Sequence, residues 1–146
     1  MIHVLIKGQI SKKIHIIDFV GDTLTFLMPR IRRNIDVDIE IVNQIADFPH
    51  YYAQCSGDKQ CADITLARHD ENGVRFTLDE MVLNLSHELV HAKQYFRGEL
   101  SPSMSRWKGQ DHSNTSYART PWEREAFKLE YKLYNMFWCG REHFIK

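Results

Sequence analysis

The pentapeptide His87-Glu88-Leu89-Val90-His91 and the signals that bracket it constrain this chain more than any other stretch. Ahead of it, Thr77 and Glu80 have capping-box spacing, and Asp79 and Glu80 put acid into a first helical turn. Behind it, Lys93 and Arg97 occupy a last turn and Gly98 supplies a stop. The helix this predicts begins near Leu78. Met81, Val82, Leu85, Leu89 and Val90, with Ala92, recur along it at helical spacing, so most of it is buried. Residues four apart share a helix face. His87 and His91 therefore present two imidazoles to one point in a cleft, with the Glu88 carboxylate beside them. Two neutral nitrogen ligands and an adjacent carboxylate base are the groups that metal-assisted hydrolysis requires.

A catalytic zinc uses three protein ligands and keeps one position open, so a third ligand must come from elsewhere. Thr120 as N-cap and Pro121 at the first helical position predict a second long helix, closed by Gly140. Its Phe127, Glu130, Tyr131, Tyr134, Phe137 and Trp138 form a wide, mostly aromatic face assigned to the core. Two carboxylates stand at its start. Glu123 is three residues after Thr120, which is also capping-box spacing, and Glu125 reads equally as an exposed helix carboxylate. His112 is a further candidate. The residues by themselves leave these options open.

Around the two helices the chain reads as short strands and turns. Residues 2–6 and 14–20 are rich in β-branched side chains and are expected to be strands. Asp22 is placed to cap a short helix over 23–28, which Pro29 would end. Residues 36–42 and 62–68 alternate polar and apolar, as half-buried strands do. The polar stretch 47–59, with Pro49 and Gly57, is expected to be loop. Asp70-Glu71-Asn72-Gly73 is a turn, with a short returning strand over 74–77. Trp107-Lys108-Gly109 marks a turn or hairpin. No repeat or low-complexity linker divides residues 1–146, which are taken as one domain.

Charge narrows the function classes. Lys and Arg total 19, as do Asp and Glu, so no global field draws the chain to nucleic acid or to anionic membrane. Lys12-Lys13 and Arg30 with Arg32-Arg33 are short enough to be solvated surface. Neither a signal peptide nor a run near the roughly 18 apolar residues of a membrane span is seen. The three cysteines, an odd number, suit free thiols in a reducing compartment. Cys55 and Cys61 lack zinc-knuckle spacing. A cytoplasmic protein with no membrane or nucleic-acid partner is expected; its oligomeric state is left open.

The HExxH helix followed by a helix bearing Pro121-Trp122-Glu123-Arg124-Glu125-Ala126 resembles the small zincin-like metallopeptidases of the gluzincin type. Two groups are similar: the membrane-linked peptidases with a Glu-x-x-Ala-Asp motif, and the ImmA/IrrE-like peptidases often encoded by mobile elements. The layout also resembles the minimal SprT-like domain and small phage-type metallopeptidases. The resemblance spans about residues 60 to 135 and implies one Zn²⁺ per chain on His87, His91 and Glu123, the glutamate three residues before Ala126. Phe127 stands where the Glu-x-x-Ala-Asp pattern has an acid that supports a ligand histidine. That role would pass to Glu130, to Glu125 or to a backbone carbonyl.

The expected fold is α+β, a zincin-like minimal domain whose small, mainly antiparallel sheet packs on the HExxH helix and the C-terminal helix. The expected activity is hydrolysis of a peptide bond in a protein or peptide substrate, with Glu88 as general base and acid. Tyr117 is the first choice for a hydrogen-bond donor to the developing oxyanion, and His112 the second. The rival from another class is an inactive zincin-like module that holds metal and binds partners; an intact Glu88 counts against it. A protease acting on DNA-bound proteins, as SprT-like proteins suggest, is disfavoured by the neutral charge and the lack of a cysteine-rich zinc ribbon.

Overall fold

A computed structural model describes residues 1–46 and 52–140. Strand β1 (Ile2–Lys7) passes through helix α1 (Lys13–Leu27) into β2 (Ile35–Val42), and the two strands pair in parallel, Ile2 opposite Ile35. The hairpin of β3 (Ala53–Gly57) and β4 (Cys61–Ala67) follows, and β4 also pairs in parallel with β2. The strand order is β1-β2-β4-β3. The fold is α+β with a mixed sheet. The expectation of a mainly antiparallel sheet is overturned, since β3–β4 is the antiparallel pairing while β1–β2 and β2–β4 are parallel.

One segment is responsible. Residues 14–20, expected as a strand, lie in α1. Ile16, Phe19, Val20, Thr23 and Leu24 are its buried residues, three and four apart, so the helical period outweighs the β-branched preference. A parallel pair needs a crossover connection, and α1 provides it. The helix begins after Lys12, whose φ of 55° is left-handed, and ends at Met28 just before Pro29. Asp22 therefore sits inside the helix and caps nothing at its start.

β2 and β4 match their alternating patterns. Ile35, Val37, Ile39 and Ile41 are buried with Ala62, Ile64 and Leu66, while Asp36, Glu40 and Asp63 point to solvent. Within the segment expected as loop, residues 47–51 and Pro49 with them lie outside the described residues. Ala53–Gly57 is strand, not loop, held by pairing to β4 although it has no β-branched residue. The returning strand over 74–77 reduces to a single bridge, His69 with Arg75.

Helix α2 (Leu78–Phe96) carries the capping box its sequence predicts. Glu80 N–H donates to Thr77 Oγ1 at 3.1 Å, and Thr77 N–H to Glu80 Oε1 at 2.9 Å. Gly98 (φ 71°) ends it, with Gly98 N–H bonded to Tyr95 O and Glu99 N–H to Gln94 O, a Schellman closure. The hairpin β5 (Arg106–Trp107) and β6 (Gln110–Asp111) follows, turned by Lys108 and Gly109, both at positive φ. α2 packs against β3 and β4 on one side and against α3 (Pro121–Tyr134) on the other, so residues 86–96 are all buried.

The assigned aromatic face of α3 needs correction. Phe127 and Tyr131 are exposed, and the buried side of the helix is Trp122, Glu123, Ala126 and Leu133. Trp138, in the π-helical turn Asn135–Cys139, is core: its ring meets Phe19 edge-on, and its Nε1–H donates to Asp79 Oδ1 at 2.8 Å. Gly140 keeps right-handed helical angles and does not reverse the chain. No helix among the described residues is long and apolar enough to cross a membrane.

Candidate metal centre

His87 and His91 project from the buried half of α2 toward the first turn of α3, where Glu123 is fully buried. Thr120 does not compete for Glu123, because its Oγ1–H donates to Tyr117 O at 2.8 Å and no side-chain cap forms. Glu123 is thus free of the alternative capping use. Its Oε1 lies 2.9 Å from His87 Nε2, and its Oε2 lies 3.1 Å from His91 Nε2. The ligand-type atoms of His87, His91 and Glu123 all fall within 4.8 Å of one another.

The other ring nitrogens show which atoms face the centre. His87 Nδ1 is 3.2 Å from Glu130 Oε2, and His91 Nδ1 is 2.8 Å from Gln94 Oε1. Both partners are acceptors there, so each Nδ1 carries a proton and a neutral ring turns its Nε2 lone pair toward Glu123. Two lone pairs and a carboxylate then converge in a buried space, an arrangement that is repulsive unless positive charge sits among them. Glu123 Oε2 makes the point sharply. It is buried and has no aligned hydrogen bond among the described residues, despite the 3.1 Å approach of His91 Nε2.

In the metal-free chain protons can supply that charge. Burial works to lower His87, but its hydrogen bonds to Glu123 and Glu130 outweigh burial and hold the imidazole up at about 10. Burial likewise works to raise Glu123, and the two imidazoles overcome it to hold the carboxyl down at about 2. His91 is raised as well, with Glu123 and Glu88 prevailing over burial. A divalent cation would replace these protons with a single doubly charged ion. The donor set, two imidazole Nε2 atoms and a carboxylate, is that of a catalytic zinc site. The residues fit the metal.

Glu88 is buried and lines two cavities at the cluster, one shared with His87 and the other with His91. The first, about 180 Å³, is walled by Tyr52, Ala53, Asn84, Tyr117, Phe127 and Glu130 as well as His87. The second, about 190 Å³, includes Cys55, Tyr95, Met104 and Glu123. Tyr117 stands beside Glu123 with part of its ring exposed; burial of the rest first, then the charges of Glu123 and Glu88, raise its phenol above the ordinary range, so it remains a donor. Phe127 sets its ring on His87, centroids 4.7 Å apart.

The structure does not bring the remaining candidates to the cluster. His112 packs edge-on against Trp122 and bonds Thr115 Oγ1 at 3.1 Å. Glu125 is tied to Lys93 and Gln94, at 2.8 and 3.1 Å. The three cysteines are free, Cys55 in the core and Cys61 at the start of β4. Asp38, Cys61 and Asp63 form a second group on the outward face of the sheet, where none of them is buried.

Gln94 is the participant that the sequence reading missed, and its signal was positional. It stands three residues after His91, on the same helix face. Lys93, expected as a last-turn cation, is buried between two carboxylates. No protein-family model, curated protein or solved structure matches the chain.

Proposed function

We propose that this chain is a zinc-dependent metallopeptidase of the HExxH type, with a zincin-like minimal fold, in which His87, His91 and Glu123 hold one Zn²⁺. The observation that carries the reading is the convergence of both Nε2 atoms on the two oxygens of the buried Glu123 carboxylate, of which Oε2 has no aligned hydrogen bond among the described residues, with Glu88 lining the space beside it. A structural metal site has no use for a base in that place.

Zinc, when bound, supplies Lewis acidity that brings water within reach of a carboxylate base near neutral pH and favours charge on a carbonyl oxygen. Glu88 takes a proton from the attacking water and returns it to the leaving amine. Tyr117, protonated through the neutral range, donates a hydrogen bond to the oxyanion. The two cavities that Glu88 lines give room for a chain at the cluster, which supports a protein or peptide substrate. Free thiols support a reducing, cytoplasmic setting.

The experiment is elemental analysis of the freshly purified chain beside Glu123→Ala and Glu125→Ala. One zinc per chain, lost in the first variant and kept in the second, followed by cleavage of an unstructured protein such as casein, is the expected result. No zinc in any sample, with none taken up on addition, overturns the reading. Zinc without hydrolysis leaves a metal-holding interaction domain.

A further inference from the structure

We propose that Gln94 is the positioning residue for His91, and that a partly buried chain of contacts through Glu125, Lys93 and Glu99 locks its amide. The inference rests on the metal-binding reading above. Gln94 is fully buried, and its Nε2 donates to Trp122 O at 3.0 Å and to Glu125 Oε1 at 3.1 Å. Both are acceptors and nothing else. A flipped amide would set its oxygen against both and turn two attractive contacts into repulsive ones. The oxygen of Gln94 must therefore face His91 Nδ1, 2.8 Å away, and that nitrogen must carry the proton. His91 is left with Nε2 as its one coordinating atom.

Glu125 is itself held. Lys93 Nζ lies 2.8 Å from the Glu125 Oε1 that Gln94 bonds, and 2.9 Å from Glu99 Oε1, the latter a close ion pair without hydrogen-bond alignment. The buried ammonium thus fixes the carboxylate, the carboxylate fixes the amide, and the amide fixes the ring. Lys93 and Gln94 belong to α2 with His91, and Glu125 belongs to α3 with Glu123. The chain of contacts ties together the two helices that carry the metal ligands.

The two histidines are supported differently. His87 is backed by the Glu130 carboxylate and His91 by a neutral amide. A carboxylate in place of Gln94 would add another anion close to Glu123 and Glu88. An amide supports the ring without adding charge.

The test uses the full chain. Zinc affinity is measured by chelator competition, and the His91 Nδ1–H resonance of the zinc-loaded protein by NMR, in the parent, Gln94→Leu and Lys93→Met. Gln94→Leu should weaken zinc about 10- to 100-fold and erase the downfield, slowly exchanging Nδ1–H signal. Lys93→Met should shift both in the same direction by less. A folded Gln94→Leu protein that binds zinc within about twofold of the parent, with that signal unmoved, overturns the proposal. Should Gln94→Leu fail to fold, Lys93→Met decides by the same two readouts. A parent chain that binds no zinc removes the metal reading itself, and this inference with it.

Discussion

Glu130 Oε2 stands 3.2 Å from His87 Nδ1, on the ring edge opposite the Nε2 that faces Glu123. The acid that the Glu-x-x-Ala-Asp pattern places after the alanine is Phe127 here, and a carboxylate arrives one turn further along the same helix instead. Phe127 meanwhile shields the ring. Replacing Glu130 with leucine should weaken zinc binding about 10- to 100-fold while the fold persists. Chelator competition measures it, and an unchanged affinity would show that Glu130 is a bystander.

Glu88→Gln should keep zinc at parental stoichiometry and lower kcat by about 10²- to 10⁴-fold, the range for loss of a general acid–base group. His87→Ala and His91→Ala should lose the metal instead. Parallel elemental analysis and turnover assays separate these cases. Undiminished hydrolysis by Glu88→Gln would refute its role.

Stability of the metal-free chain should depend on pH with a definite sign. His87 has an ordinary value of 6.5 and is held at about 10 in the fold, so the folded chain binds more protons than the unfolded one between them. Its contribution is complete below about 6.5 and is lost as pH rises through about 10, by at most about 1.4 kcal/mol per pH unit for that proton. Glu123, depressed from 4.5 to about 2, contributes above 4.5 and loses that contribution as pH falls toward 2. These are two sides of one contact and do not add. Zinc displaces the protons, so its apparent affinity should rise with pH. Denaturant unfolding and zinc titration across the range from roughly pH 6 to 10 check both slopes; a flat pair would show that the imidazoles are already neutral.

Trp138→Ala should cost about 3–5 kcal/mol, since it empties a fully buried indole site and strips Asp79 of its donor. Chemical denaturation measures this. The folded fraction should still take up one zinc, because Trp138 touches α1 and the start of α2 rather than the cluster. A cost below about 1 kcal/mol would mean the site collapses around the gap.

What could be read in the sequence followed the range of the interactions involved. α2 was legible to its ends because its caps are local: Thr77 with Glu80, and Gly98 with the last turn. α1 was not, because Ile14, Ile16 and Ile17 suggest a strand over a short window, and the spacing from Ile16 to Leu24 shows only over a longer one. A strand at residues 14–20 would leave no crossover, and without one β1 and β2 could not pair in parallel. β3 was hidden because Ala53, Gln54, Cys55, Ser56 and Gly57 carry little strand preference and are held by β4. At the site, Glu123 and Glu130 lie seven residues apart on one helix face, a spacing visible beforehand. The separation of Glu123 from Glu125 was not visible, because it depends on Lys93 and Gln94 across the helix interface.

The Schellman closure of α2 takes on another meaning beside the amide of Gln94. The carbonyl of Gln94 receives both Glu99 N–H and Leu100 N–H, so its backbone terminates the helix while its side chain supports His91. The final turn cannot fray without releasing the ring. In amide hydrogen exchange, Glu99 and Leu100 should therefore be sentinels of the centre, their protection rising when zinc binds although neither residue reaches it.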